Sequence, residues 1–353
     1  MIERMLRALA RHAHRPVKIL PVVASVPGVD VWFLRFAFAF LAHLRQGGHV
    51  VDRLSGQCVG NPAGPAFNFD HVSGGPLLWA PDLLPSRHLF IGHTVCPGFG
   101  RISSQCEWWA STPFSAPGYD YLHDGMNYGH VPVDLAPHAF VSVSVDDVDA
   151  AAWSDARQRM VLVYGDPMQH AVGCFANNRT LGRRAHAQLN GRSPMDWTFH
   201  EYLLKRALPS YAKMFISYQA MAEAVPGAVH IVAESALRAD PARGLSSLLS
   251  HLQLDRWQTA EIDAVADLCR REHILAIERE LGLSLTGSRG RRRKSTGGVP
   301  ETVAKAARDP NLRREALNSL ASMGVNTAYF EEPLAAASLR EDVGHCLSLK
   351  SDA

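Results

Sequence analysis

The sequence predicts an α/β fold, a central parallel sheet flanked by helices. Two observations carry the prediction. Short apolar runs at 19–26, 88–92, 160–164 and 229–233 have strand length, and the first and third stop at Pro- and Gly-containing turns. Helix-patterned segments alternate with these runs, as in a parallel sheet whose crossovers are helical.

Taken in order, residues 1–14 set Ile2, Met5, Leu6 and Leu9 on one helical face, with Arg4, Arg7 and Arg11 on the others. Such a stripe is read as packing on the domain, with contact to a membrane surface as the alternative. The run Ile19–Val26 ends at Pro27-Gly28 and leads into an aromatic-rich segment, Trp32–Leu44, which reads as strand, turn and helix. Residues 52–85, rich in Gly, Pro and Asn, read as irregular chain, and a second aromatic, irregular stretch fills about 100–140. The third run, Met160–Tyr164, is stopped by Gly165-Asp166-Pro167. After the fourth, Asp240 is an N-cap, Pro241 is the first helical residue, and the helix runs through Leu254. Domain boundaries follow: an N-terminal helix over 1–16, an α/β domain over 17–300, and one or two helices with a tail over 301–353.

Composition narrows the function classes. Of 353 residues, 47% are hydrophobic and 20% charged, the balance of an ordinary globular chain. A net charge of +2 argues against a general polyanion binder and against nucleic acid as partner, so electrostatic function must come from local clusters. One exists: Arg289–Lys294 holds five basic residues in six. Six cysteines without a CxxC pair fit reduced thiols in a cytoplasmic protein. Residues 1–15 lack a secretory pattern, and the most apolar run, Val31–Leu44, is interrupted by Arg35 and His43 and too short for a bilayer.

Four pieces in sequence carry a family resemblance. They are the strand, Pro-containing turn and Trp-led helix at 19–44; Tyr164-Gly165-Asp166-Pro167 with Ala171-Val172-Gly173; Val229–Leu254 with its Ala239-Asp240-Pro241 step; and Arg293-Lys294-Ser295-Thr296-Gly297-Gly298. In this order they resemble the sulfotransferases, over roughly residues 17–300. The resemblance implies a P-loop-like nucleotide-binding fold and 3′-phosphoadenosine 5′-phosphosulfate as co-substrate, with no metal. It also implies two anion cradles of the kind that strand-to-helix turns make from backbone N–H groups. The first is Pro27, Gly28, Val29, Asp30, Val31 and Trp32, the second Gly165 and Gly173, and Arg293 and Lys294 close over the donor.

The chain departs from the family pattern where side chains matter. The first loop lacks its cation and carries Asp30, whose carboxylate about 4 Å from a sulfonate would cost about 1 to 4 kcal/mol at surface dielectrics. At the second, the family's Arg and Ser fall on Gly165 and Gly173, each a lost bond of about 1.5 to 3 kcal/mol if charge-assisted. The late loop keeps its cations.

Sulfuryl transfer needs a base for the acceptor proton. The resemblance assigns that role to His93, delivered by the strand His88–Gly92, although a histidine after a strand is also a common surface residue. Trp108, Tyr119, Tyr121 and His123 lie in the aromatic stretch and suit a carbohydrate or other small hydroxyl-bearing acceptor, or a packed irregular subdomain. Asp120, His123, Asp124 and His130 match no carboxylate–histidine metal motif. Two rivals remain: an inactive binding or scaffolding protein of the same fold, and another nucleotide-dependent transferase such as a kinase, which lacks the support of a GxxxxGK[ST] motif.

Overall fold

The computed structural model describes residues 22–26, 29, 32–69, 77–79, 88–92, 96, 159–181, 197–254, 256–282 and 300–330. Its centre is a five-stranded sheet in the order β4-β5-β1-β6-β7. The strands are β1 (Val22–Ser25), β4 (Leu77–Trp79), β5 (His88–Gly92), β6 (Met160–Tyr164) and β7 (Val229–Ala233). β1 runs parallel to both neighbours, with Val23 opposite Ile91 on one side and Val161 on the other, and β7 is parallel to β6. Val22, Val23 and Ala24 are fully buried, which explains why β1 reads as an unbroken apolar run without alternation.

The expectation for 52–85 needs correction. Two short strands there, β3 (Cys58–Gly60) and β4, go with β2 (His49–Val51) just before the segment. β2 and β3 form an antiparallel hairpin, and β4 joins the main sheet antiparallel to β5, so the sheet is mostly and not wholly parallel. Strands of three residues are too short to show the period of two on which a strand reading rests.

Helix α1 (Trp32–Arg45) buries Leu34 through Ala42 without a break, so it is a core helix and not an amphipathic surface one. It stops at Gly47, whose φ of +75° a residue with a side chain adopts only at a cost. α2 (Pro167–Leu181) follows β6. α3 (Phe199–Tyr202) starts with a capping box between Thr198 and Glu201 and passes through one π turn, Leu203–Ala207, into α4 (Leu208–Ala224). The wide turn has a cause in the sequence. Pro209 has no N–H to give, and in a regular helix its ring would meet the carbonyl four residues back. The chain instead bonds Leu208 N–H to Leu203 O, five residues back.

Beyond β7 come α5 (Glu234–Ala239), α6 (Pro241–His251), α7 (Thr259–Leu268) and α8 (Arg271–Leu281). Asp240 caps α6 as expected, accepting Arg243 N–H at 3.0 Å, and the helix ends at His251. α9 (Glu301–Ala307), α10 (Pro310–Ser322) and a 3-10 turn, Thr327–Phe330, complete the described chain. Val303, Leu312, Ala316, Leu320, Val325 and Phe330 belong to the same buried cluster as β1 and β6. Among the described residues, no helix is long and apolar enough to cross a membrane. The expected N-terminal helix lies outside the described residues.

Candidate functional site

Sheet order locates a crevice before any side chain is considered. From β1 the chain goes to the β5 side, and from β6 it goes to the β7 side, so the connections leaving these adjacent strands diverge. Ligands of open α/β sheets sit at such a point, beyond the carboxyl ends of the strands. The turns after β1 and β6 are the two that the sequence singles out as cradles.

At the first turn, Val26 N–H extends the ladder to Val163 O at 3.1 Å, and Val29 N–H returns to Val26 O at 3.2 Å. Val29 is buried. Pro27, Gly28, Asp30 and Val31 lie outside the described residues, and Trp32 is described as the first residue of α1. One turn into that helix stands Arg35, only 3% exposed, whose guanidinium burial pulls down from its usual range to about 10.

The second turn is described in full. Asp166, buried, turns Oδ1 back to accept Met168 N–H at 2.8 Å and Gln169 N–H at 3.1 Å, taking donors that the start of α2 would otherwise leave open. Its Oδ2 accepts from Arg313 Nη1 of α10. The Gly165 carbonyl accepts the phenolic hydrogen of Tyr211 at 2.7 Å. Tyr211 is fully buried, and burial, with Asp166 and Tyr164 nearby, pushes its hydroxyl well above the usual phenol range. The rings of Phe215, Tyr329 and Phe330 stand edge-on to Tyr164, with Tyr329 at 5.7 Å, while Phe215 stacks on Tyr211 and Phe330 meets it edge-on.

The two turns touch. A Cβ added to Gly165 would lie 3.0 Å from Val29 Cγ2 and 3.2 Å from Glu234 Oε2, so the first turn and the start of α5 fill the space a side chain would need. Glu234 pairs with Arg238 at 2.6 Å. Gly173 is different: it sits exposed inside α2, where an added Cβ meets nothing within 4 Å.

The other expected site residues fall elsewhere. β5 ends at Gly92, in register with Ala24, and Cys96 is held by Ser217 Oγ at 2.9 Å, both buried; His93, between them in the chain, lies outside the described residues. So do Trp108, Tyr119, Tyr121, His123, Arg293 and Lys294. Among the described residues, no three His, Cys, Asp or Glu side chains gather as a metal would require. Arg313, Tyr211 and Glu234 meet the second turn without having been singled out as site residues. Arg313 and Tyr211 belong to no motif, and Glu234 falls within the segment Val229–Leu254.

The fold and this geometry define an α/β protein with a mostly parallel sheet and two contiguous turns at its switch point. Comparison with protein-family models, curated proteins and solved structures gives no match for the chain.

Proposed function

We propose that this chain is a sulfotransferase-like protein that takes 3′-phosphoadenosine 5′-phosphosulfate at the switch point and transfers its sulfuryl group to a hydroxyl acceptor, with a carbohydrate as the favoured class. One observation carries the reading: the two turns that the sequence motifs single out are in contact at the carboxyl edge of the sheet, Val29 against Gly165. A donor with phosphates at both ends of one nucleoside needs two adjacent cradles. The carboxylates beside the second turn do not stand as open charges, since Asp166 bonds Arg313 and Glu234 bonds Arg238. In this reading His93 takes the acceptor proton, and Arg293 and Lys294 close over the donor.

A second reading, a binding or scaffolding protein of the same fold without activity, is favoured by Asp30 in the first loop and by Gly165 and Gly173 at the second. At both glycines a family cation or hydroxyl is replaced by backbone alone. Calorimetric titration with adenosine 3′,5′-bisphosphate separates the two. Micromolar affinity supports the transferase, and no heat of binding at millimolar nucleotide would rule it out.

A further inference from the structure

The second turn has no side-chain cation of its own, yet a guanidinium lies beside it. We infer that Arg313, reaching in from α10, supplies the positive charge that position 165 lacks and binds the phosphate at the 3′ end of the nucleotide. The inference rests on the donor reading above and names a residue for it.

Three observations carry it. First, position 165 is a glycine and offers no cation, and a Cβ there would already lie 3.0 Å from Val29 Cγ2 and 3.2 Å from the Glu234 carboxylate. Second, Arg313 reaches the next residue, donating Nη1 to Asp166 Oδ2. Third, the pair is lopsided: the Asp166 side chain is 5% exposed and the Arg313 side chain 34%. The carboxylate is thus the buried, orienting member, its other oxygen held by Met168 and Gln169, and the guanidinium is the face that the turn presents outward. A guanidinium has five N–H donors in a planar fork suited to phosphate. Among the described residues Asp166 is the acceptor it meets. Asp166 is then a positioning residue, acting through Arg313.

The test measures what the 3′-phosphate contributes to binding. Wild-type protein and Arg313→Gln are titrated with adenosine 3′,5′-bisphosphate and with adenosine 5′-monophosphate, which lacks that group. Wild type should prefer the bisphosphate, and Arg313→Gln should cut the preference by about tenfold or more, the effect of one charge-assisted bond. Affinity for the monophosphate should stay within about twofold, because that ligand never reaches Arg313. Arg313→Lys should keep part of the preference.

If wild type shows no preference, the donor reading fails and this inference with it. If wild type prefers the bisphosphate and Arg313→Gln does so equally, or loses both ligands alike, the inference alone is overturned. Should Arg313→Gln not fold, the pair Asp166→Asn with Arg313→Met removes the stranded carboxylate and faces the same two titrations.

Discussion

Tyr211 holds Gly165 by its carbonyl oxygen, 2.7 Å from a hydroxyl that is itself fully buried. One residue on a helix thereby fixes the backbone of the turn after β6, and the stacked and edge-on rings around it leave the phenol little room to move. Replacing Tyr211 with Phe keeps the rings and removes only the hydroxyl, stranding a carbonyl. Unfolding in urea should show a loss of about 1 to 3 kcal/mol. The pH dependence follows from the raised hydroxyl: its contribution is complete below the ordinary phenol pKa and is lost as pH rises beyond it, so the difference between wild type and Tyr211→Phe should shrink in strong alkali.

Gly165 and Gly173, equivalent on paper as missing family side chains, should answer differently to alanine. Gly165→Ala forces a methyl against Val29 and Glu234 and should destabilise the protein. Gly173→Ala enters open space in an exposed helix interior and should stabilise by about 0.5 to 1 kcal/mol. Thermal melts of the two variants beside wild type decide this, and equal effects would contradict the contact between the turns.

A clip between the β2–β3 hairpin and α8 supplies a third test. Asp52 accepts Leu54 N–H at 2.9 Å, Ser55 N–H at 3.2 Å, the Ser55 hydroxyl, and His273 Nδ1 at 2.7 Å. Burial alone would raise its carboxyl, but hydrogen bonds from Ser55, Leu54 and His273, and the imidazole's charge, outweigh it and hold the group below the usual carboxylate range. Asp52→Asn should therefore lower stability at neutral pH. The wild-type advantage should fade only on acidification below about pH 4, as the carboxyl protonates. Urea midpoints for both proteins across that range are the measurement.

At the amino-terminal edge of β6 and β7, the rings of His230 and His251 lie 5.3 Å apart, and His251 Nε2 meets Met160 O at 2.9 Å. Burial lowers both histidines, and His230 lowers His251 further. The folded state thus favours the neutral rings. Their contribution is complete above about pH 6.5, the unperturbed value, and is lost as pH falls. His230→Asn should flatten the drop in urea midpoint between about pH 7.5 and about pH 5.5, since it removes one buried titration and relieves the other.

Much of the fold was legible because its signals are local. Three strands, His88–Gly92, Met160–Tyr164 and Val229–Ala233, have the bounds their apolar runs suggest, and Asp240-Pro241 starts a helix by capping chemistry that any context leaves intact. The β2–β3 hairpin and the antiparallel edge strand β4 were not legible, since partners and not patterns define strands of three residues. At the site, the turns were visible as punctuation. Arg313 was not, because it is one arginine in an ordinary exposed-looking helix and only the fold brings it 147 positions back to Asp166. The π turn is illegible for a related reason: a proline inside a helix breaks or kinks it, and the sequence does not say that one widened turn can absorb Pro209.

The sheet order also bears on how the protein is made. β1 precedes both of its parallel neighbours, β5 and β6, in the chain, so synthesis must run on to Met160–Tyr164 before this inner strand is covered on both sides. The Tyr164 hydroxyl then waits a further 165 residues for the Tyr329 carbonyl, 3.2 Å away in the finished molecule. Contacts so distant along the chain are slow to form, and an apolar strand held open meanwhile is a target for chaperones and for aggregation.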